Sequence, residues 1–95
     1  MRVNLFATLR HAVGQKTIHL EVPKGCSAQT VLDVLLESYP VLIPLMLDED
    51  RNLSRFVHMF INGRSAVLLP LGLNTTVDGS ETLDFFPAVA GGSGS

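Results

Sequence analysis

The sequence predicts an α+β domain in which a mixed sheet of four to five strands carries one main helix on one face. Two observations lead to this fold class. Several short segments alternate apolar and polar residues, as half-buried strands do, and turn signals separate them. One longer segment, from Ala28 to about Ser38, repeats its apolar residues at the helical period instead. One helical segment among several strands indicates two layers, a sheet and a helix.

The first two predicted strands precede Pro23. Residues 2–9 alternate partly, and residues 16–22 alternate again. A turn near Gly14 would join these two strands as a hairpin, and Pro23 ends the second one.

The predicted helix begins after Ser27, because a serine hydroxyl caps a helix N-terminus well. It ends at or before Tyr39, since Pro40 follows and disfavours helical backbone in the preceding residue. Residues 41–47 predict a second, short helical turn. The apolar stripe of the main helix consists of Val31, Leu32, Leu35 and Leu36.

Three further strands are expected in the second half of the chain. The third covers residues 56–62, and Asn62-Gly63 is a strong turn signal at its end. Residues 66–69 indicate a short edge strand. After a turn at Asp78-Gly79, residues 82–86 form the last strand.

A single helix can cover only one face of such a sheet. The set expected to face the helix is Val3, Leu5, Val57, Met59, Ile61, Leu83 and Phe85. The period of two then directs Phe6, Phe60 and Phe86 to the other face. His58 and Asp84 share that side. We expect an exposed aromatic patch, which usually binds another molecule. The alternatives are that the strand register slips by one residue, or that the connection over residues 65–77 covers one or two of the rings.

Composition argues against several classes of function. The chain has 95 residues and 46% hydrophobic content, enough for one core without metals or disulfides. A formal net charge of −2 with scattered basic residues favours neither nucleic acid nor a membrane surface as a partner. The single cysteine, Cys26, rules out an internal disulfide, and the histidines lack metal-ligand spacing. We therefore expect a cytoplasmic protein without a metal site.

The C-terminal segment is the strongest functional signal. We expect a folded domain over residues 1–87 and a flexible tail over residues 88–95. The tail is uncharged along its side chains and contains Gly91-Gly92 near its end. Glycines at this position neither gain burial nor close a turn. Chemistry at a C-terminal carboxylate does require them, because residues without Cβ can lie extended in a narrow channel of a partner enzyme.

Three segments resemble the MoaD family of small sulfur-carrier proteins, which are ubiquitin-like β-grasp proteins related to ThiS and to archaeal small modifier proteins. They are residues 3–10 (VNLFATLR), 60–63 (FING) and 84–92 (DFFPAVAGG). The last segment, with its F-P-x-V-x-G-G pattern, is the most specific. The resemblance spans residues 1–92.

The resemblance implies that an ATP-dependent, ubiquitin-activating-type enzyme adenylates the carboxylate of Gly92. Sulfur then replaces AMP, and the resulting thiocarboxylate donates sulfur. In molybdenum cofactor biosynthesis the acceptor is a pterin precursor bound to the large subunit of molybdopterin synthase. The chain would thus be a carrier substrate rather than an enzyme, with no bound cofactor, since the partner uses the ATP. Besides Gly91 and Gly92, the residues expected to contact partners are Phe6, Phe60, Phe86, Pro87, Val89 and Arg10.

Residues 93–95 (Ser-Gly-Ser) hold the Gly92 carboxylate in an amide bond. Either a processing protease removes them, or they are a linker left from expression, or the extension is permanent. Three functions stay open: a sulfur carrier, a modifier joined to lysines through Gly92, and a binding module that uses the aromatic face and never reacts. The first two share their activation chemistry, so the sequence does not separate them.

Overall fold

The computed structural model describes residues 1–88, in which five strands form one mixed sheet. The strands are β1 (Arg2–Leu5), β2 (Thr17–His19), β3 (Val57–Ile61), β4 (Arg64–Ser65) and β5 (Thr82–Pro87). Their order across the sheet is β2-β1-β5-β3-β4. β1 and β5 are parallel, and the other neighbours are antiparallel. The last strand of the chain therefore lies in the middle of the sheet.

Three helices accompany the sheet: α1 (Ala7–Val13), α2 (Ala28–Ser38) and α3 (Ile43–Met46). The predicted cap of α2 is confirmed, because the Thr30 backbone N–H donates to the Ser27 hydroxyl oxygen at 3.2 Å. None of the helices in residues 1–88 combines the length and apolar character that crossing a bilayer would need.

The predicted second helical turn is also confirmed. It consists of a 3-10 turn at Pro40–Leu42 followed directly by α3. Proline suits the first position of a helical turn, because its missing N–H has no partner there. Leu42 and Met46 of this segment are fully buried.

The hydrophobic core lies between α2 and one face of the sheet. The four predicted apolar residues of α2 are all buried there. Every sheet residue predicted to face the helix is at most 7% exposed: Val3, Leu5, Val57, Met59, Ile61, Leu83 and Phe85. The predicted α+β architecture and the inward face are thus confirmed.

The prediction of one strand over residues 2–9 is wrong in its second half. β1 ends at Leu5 and α1 follows, carrying the fully buried Leu9 back into the core. Gly14, at φ 84°, ends α1, and its N–H donates to the Arg10 carbonyl at 2.7 Å. β1 and β2 still pair antiparallel, but a helix joins them instead of a tight turn.

The predicted edge strand at residues 66–69 is wrong as well. Asn62 and Gly63, at φ 49° and 82°, form a two-residue hairpin turn, so pairing with β3 resumes at once in β4. Residues 66–68 then form a 3-10 turn. Ala66 is buried there, whereas Val67 and Leu68 are exposed.

Candidate docking face and C-terminal exit

Three phenylalanine rings meet on the sheet face opposite α2. Phe6 and Phe86 are stacked, with ring centroids 4.1 Å apart and an interplanar angle of 12°. Phe60 meets Phe86 edge-on, at 5.5 Å and 89°. Phe86 is 36% exposed, and the other two rings are half-buried. The predicted outward cluster is therefore present, and we call these three rings the aromatic patch.

Strand register explains why the rings meet. Leu5 lies opposite Phe85 in the parallel β1–β5 pair, so the next residues, Phe6 and Phe86, become neighbours on the other face. On the far side of β5, Phe60 lies opposite Asp84. Residues two positions apart on a strand share a face, which brings Phe60 diagonally next to Phe86.

The connection between β4 and β5 contributes to the core: Ala66 and Val77 are buried in it, and Leu69 and Leu73 pack against it. It packs along the α2 side, where the Ala28 N–H donates to the Thr75 carbonyl at 2.8 Å and the Val77 N–H donates to the Cys26 carbonyl at 2.8 Å. Phe86, at the centre of the patch, stays 36% exposed.

A row of polar side chains crosses the same face beside the patch. Thr17, Asn4 and Asp84 are in register on β2, β1 and β5. The Thr17 hydroxyl donates to Asn4 Oδ1 at 2.8 Å, and Asn4 Nδ2 donates to Asp84 Oδ1 at 2.8 Å. We call these three residues the polar row. Sequence reasoning placed Asp84 on this face but missed the row, because hydrogen bonds between strands depend on register.

Lys16 and His58 lie next to rings of the patch. The Lys16 Nζ atom lies 5.5 Å from the centroid of the Phe6 ring, a cation–π distance. His58 lies opposite Phe86 and is exposed. Arg10 is exposed on α1, the helix that begins directly after Phe6, and its contact with a partner stays a prediction.

The chain leaves the sheet from its central strand. Pro87, half-buried, pairs with Val57 at the end of β5, and the Ala88 N–H donates to the Phe56 carbonyl at 2.5 Å. Five residues separate Phe86 from Gly92. The predicted site residues Val89, Gly91 and Gly92 lie outside the described residues, so their roles stay predictions.

The rest of residues 1–88 offers little chemistry. No group of three His, Cys, Asp or Glu side chains in this part of the chain is arranged to hold a metal ion. The pKa of Asp78 lies below its ordinary value of 3.8, because its carboxylate accepts hydrogen bonds from the Ser80 hydroxyl at 2.6 Å and the Ser80 N–H at 2.8 Å. That turn precedes β5, at the opposite end from Pro87.

Known proteins resemble this chain over almost its full length. A family model described as the ThiS family matches residues 3–92. Small archaeal modifier protein 3 of Haloferax volcanii is 35% identical over 92 residues, which cover 97% of this chain and 98% of that protein. The crystal structure of SAMP1 from the same organism has a TM-score of 0.86 at 27% identity, covering 97% of this chain and 98% of that one.

A chain of the Amycolatopsis orientalis BexX/CysO complex has a TM-score of 0.73 at 27% identity, covering 96% of this chain and 98% of that one. These TM-scores show that the five-stranded sheet and helix of this chain form a β-grasp fold. The resemblance drawn from the sequence is confirmed at the level of family and fold. The match extends from the first strand to the glycine pair, and on that basis this chain belongs to the ThiS family of ubiquitin-like sulfur carriers and modifiers.

Proposed function

We propose that this protein is a sulfur carrier whose Gly92 carboxylate is adenylated by a partner enzyme and converted to a thiocarboxylate. The observation that carries the proposal is that β5 holds both Phe86, at the centre of the aromatic patch, and the exit to the glycine pair. Gly92 is six residues beyond Phe86, a stretch that spans at most about 22 Å when extended. A partner docked on the patch would have the reactive end within that distance.

The chemistry needs nothing from this chain except its carboxylate. An oxygen of the Gly92 carboxylate attacks the α-phosphorus of ATP, pyrophosphate leaves, and an acyl adenylate forms. A hydrosulfide ion then attacks the acyl carbon, AMP leaves with the carboxylate oxygen, and loss of the thioacid proton gives the thiocarboxylate. One sulfur thereby replaces one carboxylate oxygen. The tail side chains carry no charge, so the tail can enter a narrow channel without removing water from a charged side chain.

The proposal requires a free carboxylate at Gly92. Residues 93–95 must therefore be absent from the reacting form, either through a processing protease or because they are not native. The expected acceptor is the molybdopterin precursor bound to the large subunit of molybdopterin synthase. Support for this acceptor comes from the likeness of residues 84–92 to the MoaD tail.

A second function, protein modification, is favoured by the 35% identity to a protein named as a small archaeal modifier. In this reaction a lysine ε-amine attacks the same acyl adenylate, AMP leaves, and an isopeptide bond forms. The activation step is shared, so one protein can serve both functions. They differ in product: a thiocarboxylate in one case and higher-mass conjugates in the other.

The decisive experiment follows the mass of the intact protein. The full chain and a chain ending at Gly92 are each incubated with the host's adenylating enzyme, ATP and a sulfide source. We expect the chain ending at Gly92, and not the full chain, to exchange one oxygen for sulfur. Gly92→Ala should strongly reduce this exchange with an unchanged melting temperature, whereas the tail control Ala88→Gly should retain it. No adenylation of the chain ending at Gly92 would support the non-reactive binding module instead.

Conjugation is tested in cells of the host. An N-terminally tagged chain ending at Gly92 should give higher-mass species whose peptides contain a lysine linked to glycine, and removal of Gly92 should abolish them. Thiocarboxylate without such species would restrict the protein to the carrier function.

Docking is tested separately from chemistry. Phe86→Asp places a charge where a partner would exclude water, which costs on the order of several kcal/mol. We expect affinity for the adenylating enzyme to fall by at least about 100-fold, which corresponds to about 2.7 kcal/mol. Leu68→Asp is the matched control, because Leu68 is 83% exposed on the 3-10 turn after β4 and lies outside the patch. Equal affinity of the two variants would show that the patch is not the docking surface.

A further inference from the structure

We propose that Asp84 is the specificity-determining charge of the docking face and that the adenylating enzyme presents an arginine guanidinium to it. This inference rests on the proposed function, since it concerns the partner that would dock on the aromatic patch. It adds the chemical character of the partner's contact surface, which the patch alone does not define.

Asp84 occupies a central place on the face. It lies on the middle strand, in register with Asn4 on one side and Phe60 on the other, with Phe86 two residues further along. Its side chain is half-buried. A carboxylate at this position is therefore covered by any partner large enough to cover the three rings.

The carboxylate has unused hydrogen-bonding capacity. Asn4 Nδ2 occupies one acceptor position on Oδ1, whereas a carboxylate offers about four. Within residues 1–88, Asp84 forms no ion pair with a lysine, arginine or histidine at 4.0 Å or less. In the free protein, water can solvate the remaining positions.

Docking removes that water. An apolar partner surface would leave the Asp84 charge buried and unpaired, which is strongly unfavourable. A partner that binds this face tightly therefore has to supply hydrogen-bond donors to Asp84, and a cationic donor compensates the charge best. The same requirement discriminates against apolar surfaces that merely fit the rings.

The neighbouring rings favour a guanidinium over an ammonium. A guanidinium is planar, is weakly hydrated and can bind a carboxylate through two parallel N–H donors. It can also lie against an aromatic ring while doing so, and Phe60 is directly beside Asp84. A lysine ammonium would have to give up stronger hydration for a single point contact.

The polar row holds the carboxylate ready for this contact. Because the Asp84 carboxylate can only accept, the Asn4 amide turns its NH₂ group toward it, and Asn4 Oδ1 then accepts from the Thr17 hydroxyl. Asn4 and Thr17 are thus positioning residues that reduce the side-chain ordering needed on binding.

The test measures the affinity of the full chain for the purified adenylating enzyme of the host at low and at high salt. Asp84→Asn keeps the shape of the side chain and removes its charge. We expect its affinity at low salt to be about 10- to 100-fold below wild type, with a flatter salt dependence. Glu37→Gln is the matched control: it removes the same charge from the exposed surface of α2, on the other layer, and should bind like wild type.

The guanidinium is tested by treating the enzyme with phenylglyoxal, which modifies arginine. Treatment should weaken binding of the wild-type chain and have little further effect on Asp84→Asn. Equal losses for both chains would overturn the arginine assignment. Asp84→Glu should show the salt dependence of the wild-type chain, because it keeps the charge. If Asp84→Asn does not fold, the salt dependence of Asp84→Glu is compared with that of wild type instead.

Two results of the affinity measurements would also overturn the inference. One is an Asp84→Asn chain that binds like the Glu37→Gln control, and the other is a loss of affinity that is the same at both salt concentrations. In either case a loss of binding by Phe86→Asp would leave the proposed docking function intact. If instead Phe86→Asp binds normally, the docking function itself fails.

Discussion

Phe85 and Phe86 are consecutive residues of the same type with opposite surroundings. Phe85 faces α2 and is 0% exposed, whereas Phe86 lies in the aromatic patch and is 36% exposed. The first ring is buried by folding, so its apolar surface contributes to the stability of the domain. The second keeps apolar surface in contact with water, where only a partner can bury it. One face of the sheet thus serves folding and the other is available for binding.

Polar residues show the same division. The inward positions of β1, β3 and β5 are apolar, because an unpaired polar group would be costly in the core. The outward positions mix aromatic rings with Thr17, Asn4, Asp84 and His58. Charge and hydrogen bonding on this face can therefore distinguish between partners, while the inward face can only hold the domain together.

The largest expected effect is that of Phe85→Ala. Removing a fully buried phenyl ring deletes its transfer free energy and leaves a cavity, at a cost of about 3–5 kcal/mol. Natural domains are stable by about 5–15 kcal/mol, so much of the stability would be lost. Urea denaturation followed by circular dichroism measures the loss. A loss below about 1 kcal/mol would show that the burial of Phe85 does not stabilise the domain.

Phe86→Ala is the matched substitution on the other face. It removes one stacked and one edge-on ring contact, each worth about 0.5–1.5 kcal/mol, so the loss of stability should be well below that of Phe85→Ala. Affinity for the adenylating enzyme should instead fall by about 10-fold or more. Equal destabilisation by the two substitutions would mean that the patch is structural.

Sequence periodicity predicted the division between faces correctly, because alternation alone decides on which face a strand residue lies. It failed after Leu5, where Leu9 was assigned to the strand although α1 carries it into the core. Gly14 was a usable signal there, since a glycine is typical of a helix C-terminus as well as of a hairpin turn. The polar row was not predictable, because its hydrogen bonds require that distant strands pair in one particular register.

The reactive end is a different case. Gly91 and Gly92 were identified from their position and from a family pattern, with no folding constraint to support them. The family assignment is established by the match over residues 3–92. The mass measurement on the Gly92→Ala variant tests the role of Gly92.

Asn4→Ala should lower the stability of the fold by less than Phe85→Ala does. It removes two half-buried hydrogen bonds from the polar row, one of them to a carboxylate, at a cost of about 2 kcal/mol. The outward face would thus contribute to stability through hydrogen bonds rather than through burial. Thr8→Ala, on the exposed surface of α1, is the control and should change stability by less than about 0.5 kcal/mol. If both variants unfold at the same urea concentration, the polar row does not stabilise the fold.

The smallest effect is expected at Asp78, which belongs to neither face. Hydrogen bonds from Ser80 lower the pKa of its carboxyl group, so the ionised form is favoured in the folded state. This stabilisation is present above the pKa of the unfolded chain and is lost as the pH falls through the lower, folded pKa. Asp78→Asn should therefore melt slightly below wild type at neutral pH.

The two melting temperatures should converge as the pH falls below 3.8, the ordinary pKa of the group. Melting curves between neutral pH and strong acid measure this difference directly. Affinity for the adenylating enzyme should not change, because the Asp78 turn precedes β5 at the end away from the exit of the tail. A loss of affinity in Asp78→Asn comparable to that expected for Asp84→Asn would mean that net charge, rather than the position of a charge on the outward face, controls docking.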